Sequence, residues 1–230
     1  HDYWGNGGPS VHDYEMDPNI VEDPLYADEM IPALLSLPSM SLVGDADDVW
    51  RMYNNDDSET PVSVELIYPG EPQLGHQEDC GAQRHSHART KNSIRLEFKD
   101  QYGAGKWDSP LMTQALVGGG TAVGRFDRIV LRGGNNRSWA RSWAPGRTTY
   151  TTDQWIRSTY LDMTGISARG VFVHLYINGI YWGIYNPVER PDKWFAAAYL
   201  GGDDGDWFSV SHGGPKSGDS SRYDYLRGPL

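Results

Sequence analysis

VFVHLYINGIYWGIYNPVERPDKWFAAAYL, residues 171–200, decides how this chain is read. Val171, Val173, Leu175 and Ile177 alternate with Phe172, His174 and Tyr176, the period of two of a strand covered at least partly on both faces. Asn178-Gly179 follows at once, and both residue types accept positive φ, so the pair predicts a two-residue type I′ hairpin turn. The return strand spans roughly Ile180 to Tyr185, with Gly183 where a side chain would be in the way, and Pro187 is expected to end the pairing. Asp192 then caps a short helix that Gly201 stops. An aromatic hairpin running into a helix is a scaffold; its purpose has to be read from the rest of the chain.

Composition sets the bounds. The 230 residues suffice for one good-sized domain, or one domain with an irregular arm. A formal charge of −11 repels nucleic acid and anionic membrane surfaces, so nucleic acid is set aside as a partner. No apolar run is long enough to cross a bilayer, so membrane insertion is not expected. A single cysteine, Cys80, rules out an internal disulfide and a Cys-rich zinc site. The chain has 9 Trp, 14 Tyr and 27 Gly at a mean hydropathy of −0.60, which suggests a loop-rich α+β structure.

Outward from the hairpin, Val62, Val64 and Leu66 alternate with Ser63 and Glu65, and Ile94, Leu96 and Phe98 with Arg95 and Glu97; both patterns predict strands. FDRIVLR at 126–132 and PSMSLV at 38–43 predict two more. Asp45, Asp47 and Asp48 are placed to cap a helix. Ile156, Tyr160 and Met163 share one face of a helix that starts at Thr151-Thr152-Asp153 and ends at Gly165, with Trp155 near its edge. Residues 1–23 read as an irregular acidic arm, 24–210 as the domain, and 211–230 as a flexible tail. The fold class is therefore α+β: a mainly antiparallel sheet with short helices and long loops.

Candidate site residues concentrate before the strand at Ile94. In an acidic protein, Arg84, Arg89 and Lys91 gather positive charge beside His85 and His87. A His-x-His pair on extended chain points both rings to one side and suits zinc or copper, whereas Arg84 with Lys91 suits a phosphate or carboxylate. The anion reading ranks above the metal, because no third ligand can be placed, and both rank below a plain surface loop of mixed charge. Asp203, Asp204 and Asp206 do not match a calcium loop and read as a solvated turn. Gly118-Gly119-Gly120 lacks the Lys-Ser/Thr ending of a phosphate loop.

Four blocks, residues 15–43, 91–111 (KNSIRLEFKDQYGAGKWDSPL), 129–134 (IVLRGG) and 171–195, resemble in content and order the CotH family of spore-coat CotH-like proteins with an atypical protein-kinase fold. The most specific is the NGxYWGxYxxxER pattern at 178–190. The resemblance implies a secreted or cell-surface domain, like the first lobe of that fold, that uses ATP with Mg or Mn to phosphorylate Ser or Thr of a protein substrate. It places Lys91 at a position that holds ATP phosphates and Arg84 just upstream, in a segment that reads RHSHART without the family's glycine. It places Glu189 at an acidic position beyond the hairpin, facing Lys91 or the nucleotide. The second-lobe catalytic Asp and metal-binding Asp have no counterpart here, since Asp219 and Asp224 stand in a Gly- and Ser-rich tail. The catalytic residues are thus unknown, and the chain reads as the N-terminal portion of such a domain. Two alternatives stand beside it. One is a non-catalytic module binding an extracellular polysaccharide or a protein through Trp139, Trp143, Trp182 and Trp194. The other is a secreted hydrolase acting on glycans through Asp153, Asp162 or Glu189.

Overall fold

The computed structural model describes residues 16–54, 58–85, 91–112, 122–134, 137–138, 148–211, 214–219, 221, 223 and 225. Seven strands close into a barrel: β1 (Ser39–Val43), β2 (Glu59–Ile67), β3 (His76–Arg84), β4 (Ile94–Glu97), β7 (Arg128–Arg132), β9 (Ile180–Glu189) and β8 (Val173–Ile177), in that spatial order. A ring with an odd number of strands cannot alternate direction all the way round, so one neighbouring pair has to be parallel. That pair is β1 with β8, with Met40 opposite Leu175; the other neighbours are antiparallel. Two short pairs lie outside the barrel: β5 (Trp107–Asp108) with β6 (Arg125–Phe126), and β10 (Ser209–Ser211) with β11 (Gly214–Ser217). The expected α+β class with a mainly antiparallel sheet and short helices holds; closure of the sheet into a barrel is what the alternation alone did not announce.

Alternation fills the interior. Met40, Leu42, Val64, Leu66, Cys80, Ala82, Ile94, Leu96, Ile129, Leu131, Val173, Leu175 and Tyr185 are all buried, and the strand positions between them point outward. Cys80 is one of these packed residues, and burial pushes its thiol far up, which removes it as a nucleophile. Phe98 stacks on Trp107 at 5.4 Å and seals the end of the core beside His76.

The hairpin turns as its sequence requires, with φ of 48° at Asn178 and 79° at Gly179. The Asn178 side chain also accepts a hydrogen bond from Gly44 N–H at 3.0 Å, which ties the turn to the end of β1. Pro187 does not end the pairing. β9 continues through it to Glu189, registered against β7, and the Pro187 carbonyl accepts from Val171 N–H at 3.1 Å. Among the described residues the helices α1 (Pro18–Val21), α2 (Met30–Leu35), α3 (Ala46–Asn54), α4 (Thr152–Thr164) and α5 (Lys193–Leu200) accompany the barrel. Asp45 caps α3 through Asp47 and Asp48 N–H, Asp192 caps α5 through Trp194 and Phe195 N–H, and Gly165 ends α4 in the left-handed conformation. On α4 the apolar residues Trp155, Ile156, Tyr160 and Met163 are exposed, and Gln154 and Leu161 are the buried positions. That helix is held to the barrel by Arg157, which reaches Asp153, Gln154 and Asn186, rather than by an apolar stripe.

Candidate functional site

The segment that precedes β4 is clamped from three sides. Asn92 N–H donates to the Tyr53 hydroxyl at 3.0 Å, and the Asn92 side-chain amide donates to the Tyr53 carbonyl at 2.9 Å, which joins the segment to the end of α3. The Tyr185 hydroxyl on β9 donates to the Asn92 carbonyl at 3.0 Å, and Gly133 N–H donates to Ser93 Oγ at 3.1 Å. Gly133 sits here because the backbones nearly touch: a Cβ would stand 2.8 Å from the Lys91 carbonyl and 3.0 Å from that of Asn92.

This clamp fixes the path of Lys91. Its ammonium donates to the Ile184 carbonyl at 2.6 Å and to the Tyr150 hydroxyl at 3.3 Å. It lies over two rings, 4.5 Å from the centre of Tyr185 and 5.3 Å from that of Tyr150. The Tyr150 hydroxyl in turn donates to the Ile184 carbonyl. Gly183, at φ 88°, leaves the room: a Cβ there would stand 3.4 Å from Lys91 Nζ. Among the described residues no carboxylate pairs with Lys91. Burial pulls its pKa down from 10.5 to about 8. The glycines of IVLRGG and of NGIYWG thus both shape the cradle of the Lys of KNSIRLEF, so three separate stretches of sequence meet at one ammonium group.

A polar cleft opens beside this end of the barrel. It is lined by Arg132, Gly134, Arg137, Tyr150, Thr152, Asp153, Ile156 and Asn186, so Tyr150 joins the cleft to Lys91. Arg132 pairs with Asp153 at 2.8 Å and keeps about half of its side chain exposed. Arg84 ends β3 opposite Ile94, at the same end of the barrel as Lys91. The Asn186 amide donates to Gln154 and to the Val171 carbonyl, and the Tyr150 hydroxyl to the Ile184 carbonyl, so the donors this cleft offers an anionic group are Arg137 and the exposed part of Arg132.

Glu189 does not share this site. Its carboxylate accepts from Arg169 N–H at 2.9 Å and from the Tyr199 hydroxyl at 2.5 Å, with the Arg169 guanidinium at 3.9 Å. Burial raises its pKa, opposed by those hydrogen bonds and by Arg169. Tyr199 is itself fixed by Val123 N–H at 2.9 Å and by Arg169 over its ring at 4.3 Å. Glu189 pairs with Ile129, whereas Lys91 meets β9 at Ile184; five residues of strand separate the two contacts by about 16 Å. The expected pairing of Lys91 with Glu189 is replaced by these two separate sets of partners.

The remaining candidates fall as follows. His85 is half-buried, and its N–H donates to the Ser93 carbonyl at 2.7 Å. Burial and the charges of Arg190, Arg95 and Arg132 bring its pKa down to about 4, and the same positive surroundings oppose a metal cation there. His87, Arg89, Trp139, Trp143, Asp224 and the 118–120 glycines lie outside the described residues. Among the described residues no group of three or more His, Cys, Asp or Glu side chains could hold a metal ion. The acidic turn at 203–206 closes on itself, with Asp203 N–H donating to Asp206 and Lys193 paired with Asp204. Trp182 meets Tyr53 edge-on at 5.7 Å, and Trp194 lies under Arg128 at 4.0 Å, so neither ring is a free stacking platform. Asp153 is engaged by Arg132 and Arg157. Tyr150, Tyr185, Asn92 and Tyr53 build the Lys91 cradle, and nothing in their spacing marked them in advance.

Residues 161–227 match the family model described as CotH kinase protein. This part of the chain is CotH-like. The CotH-like region runs from the end of α4 through β8, β9 and α5, and carries Gly183, Ile184 and Tyr185 of the Lys91 cradle as well as Glu189. Lys91 and Arg84 precede it. No curated protein matches the chain. No helix among the described residues is long and apolar enough to cross a membrane.

Proposed function

We propose that the chain is a CotH-like kinase-type domain in which Lys91 contacts the phosphates of ATP during phosphoryl transfer to Ser or Thr of a protein at the cell surface or in secretion. One observation carries the reading. A buried ammonium without a carboxylate partner among the described residues is costly to the folded state, and an anionic ligand offsets that cost. The neighbouring cleft supplies Arg137 to further phosphate oxygens. Phosphoryl transfer needs positioning and charge stabilisation more than covalent chemistry, and a fixed cation at the end of a rigid barrel provides both. The Mg or Mn that the family implies finds no protein-built cage among the described residues, so no step is assigned to it. Glu189, held by Tyr199 and Arg169, serves in this reading as a structural carboxylate that ties β9 to α5.

The test is incubation with γ-labelled ATP, Mg or Mn, and casein as acceptor, comparing the wild-type chain with Lys91→Met. Label on protein with the wild type and its loss with the variant is the expected result. Absence of label together with absence of any ATP-dependent change in melting temperature would remove the kinase reading.

A further inference from the structure

The outer face of the barrel carries a second concentration of positive charge, separate from Lys91. Register places Gln83, Arg95, Val130 and Val188 in one outward row, and Glu97 beside Arg128 in the next. On the other side Arg132 is opposite Asn186. These rows point away from the core because Ile94, Leu96, Ile129 and Leu131 between them are fully buried. Arg190 follows directly on the last residue of β9, and His85 on the last residue of β3.

Among the described residues few carboxylates pair with the guanidiniums of this face. Glu97 is shared by Arg95 at 2.5 Å and Arg128 at 2.9 Å. Asp192 contacts Arg128 at 3.3 Å and Arg190 only at 3.9 Å, while its other oxygen caps α5. Asp153 is divided between Arg132 and Arg157. Among the described residues, five guanidiniums thus share three carboxylates in ion pairs, in a protein whose overall charge is −11. Nη1 of Arg190 is buried without a hydrogen-bond partner. His85 adds no charge of its own near neutrality, because burial and the three nearby guanidiniums keep its imidazole neutral.

We infer that the outer face around His85, Arg95, Arg132 and Arg190 binds a phosphate monoester. The excess of two positive charges matches a group that carries close to two negative charges near neutral pH, and planar guanidiniums match the spacing of its oxygens. The ligand is either free phosphate or a phosphorylated side chain of another protein. This site does not depend on Lys91 or on any transfer activity.

Isothermal titration of the full chain tests it with two probes, sodium phosphate and a phosphoserine peptide, each against the unphosphorylated peptide. Saturable 1:1 binding of at least one phosphorylated probe is expected, and the tighter of the two identifies the source. Arg190→Gln should weaken binding at least tenfold, and Lys91→Met should leave it unchanged. Glu97→Gln frees Arg95 and Arg128 and should tighten binding severalfold, a gain that misfolding cannot produce. Failure of both probes to saturate, equal affinities in Arg190→Gln, Glu97→Gln and the wild type, or loss in Lys91→Met alone would overturn the assignment.

Discussion

Replacing Lys91 with Met keeps most of the side-chain volume and removes the charge, so it should stabilise the fold while it abolishes nucleotide binding. Burial holds the ammonium at about 8 instead of 10.5. At about 1.4 kcal/mol for each pH unit, that drop corresponds to about 3 kcal/mol of folding free energy spent on keeping the charge inside. The sign follows from proton counting. Between pH of about 8 and 10.5 the unfolded chain holds the Lys91 proton and the folded chain releases it, so wild-type stability gains from Lys91 as pH rises through that window. Below it the full cost applies. Loss of the bonds to the Ile184 carbonyl and Tyr150 and of the ring contacts offsets part of the gain, leaving Lys91→Met about 2 kcal/mol more stable at pH 7. The assay is urea unfolding of both proteins at intervals from pH 7 to 10.5. The variant's advantage should fall by about 3 kcal/mol across the series and reverse towards its upper end, because the variant lacks the titrating group. A difference that is constant with pH, or a variant less stable than the wild type at pH 7, would refute the argument that Lys91 is a buried, uncompensated cation.

Gly133→Ala forces a Cβ against the Lys91 and Asn92 carbonyls, and should cost about 1–3 kcal/mol by thermal melting and weaken ATP binding through the displaced Lys91. Glu189→Gln tests the buried carboxylate: its raised pKa means that the folded state holds the proton longer, so wild-type stability falls as pH rises from the ordinary carboxyl range, and the variant should show a flatter profile. Asp192→Ala removes the α5 cap and a counter-charge of Arg128 and Arg190 together, and should lower stability by about 1–3 kcal/mol in urea unfolding.

The local parts of this fold were legible in the sequence because their causes are local. Asn178-Gly179 specifies its turn by φ alone, Asp192 and Asp45 specify caps by reach, and the alternation at Val62–Leu66 and Ile94–Phe98 specifies which face is buried. Pairings between distant segments were not legible. Nothing in Ser39–Val43 announces a parallel partner at Val173–Ile177, although that pair closes the ring. The apolar spacing of Ile156, Tyr160 and Met163 suggests a buried face, yet all are exposed, because Arg157 bonding to Asn186 sets the orientation of α4. At the site, Lys91 was marked by charge in an acidic chain, and Gly183 by its place in an aromatic strand. The partners of Lys91 were not marked, since a tyrosine that cradles a cation has the same sequence signature as one that fills a core. Glu189 was marked as an acid near the hairpin, but sequence order could not show that Tyr199 and Arg169 hold it about five strand residues away from the Ile184 carbonyl that holds Lys91.

The most direct measurement is the pKa of the Lys91 amine itself, followed by nitrogen-detected NMR of the side chain across a pH titration, without and with ATP. A value of about 8 in the free protein that moves upward when ATP is added is the expected result, because a phosphate would supply the counter-charge that the fold withholds. An ordinary lysine value in the free protein, or a depressed value that ATP leaves in place, would contradict the claim that this cation is kept for an anionic ligand.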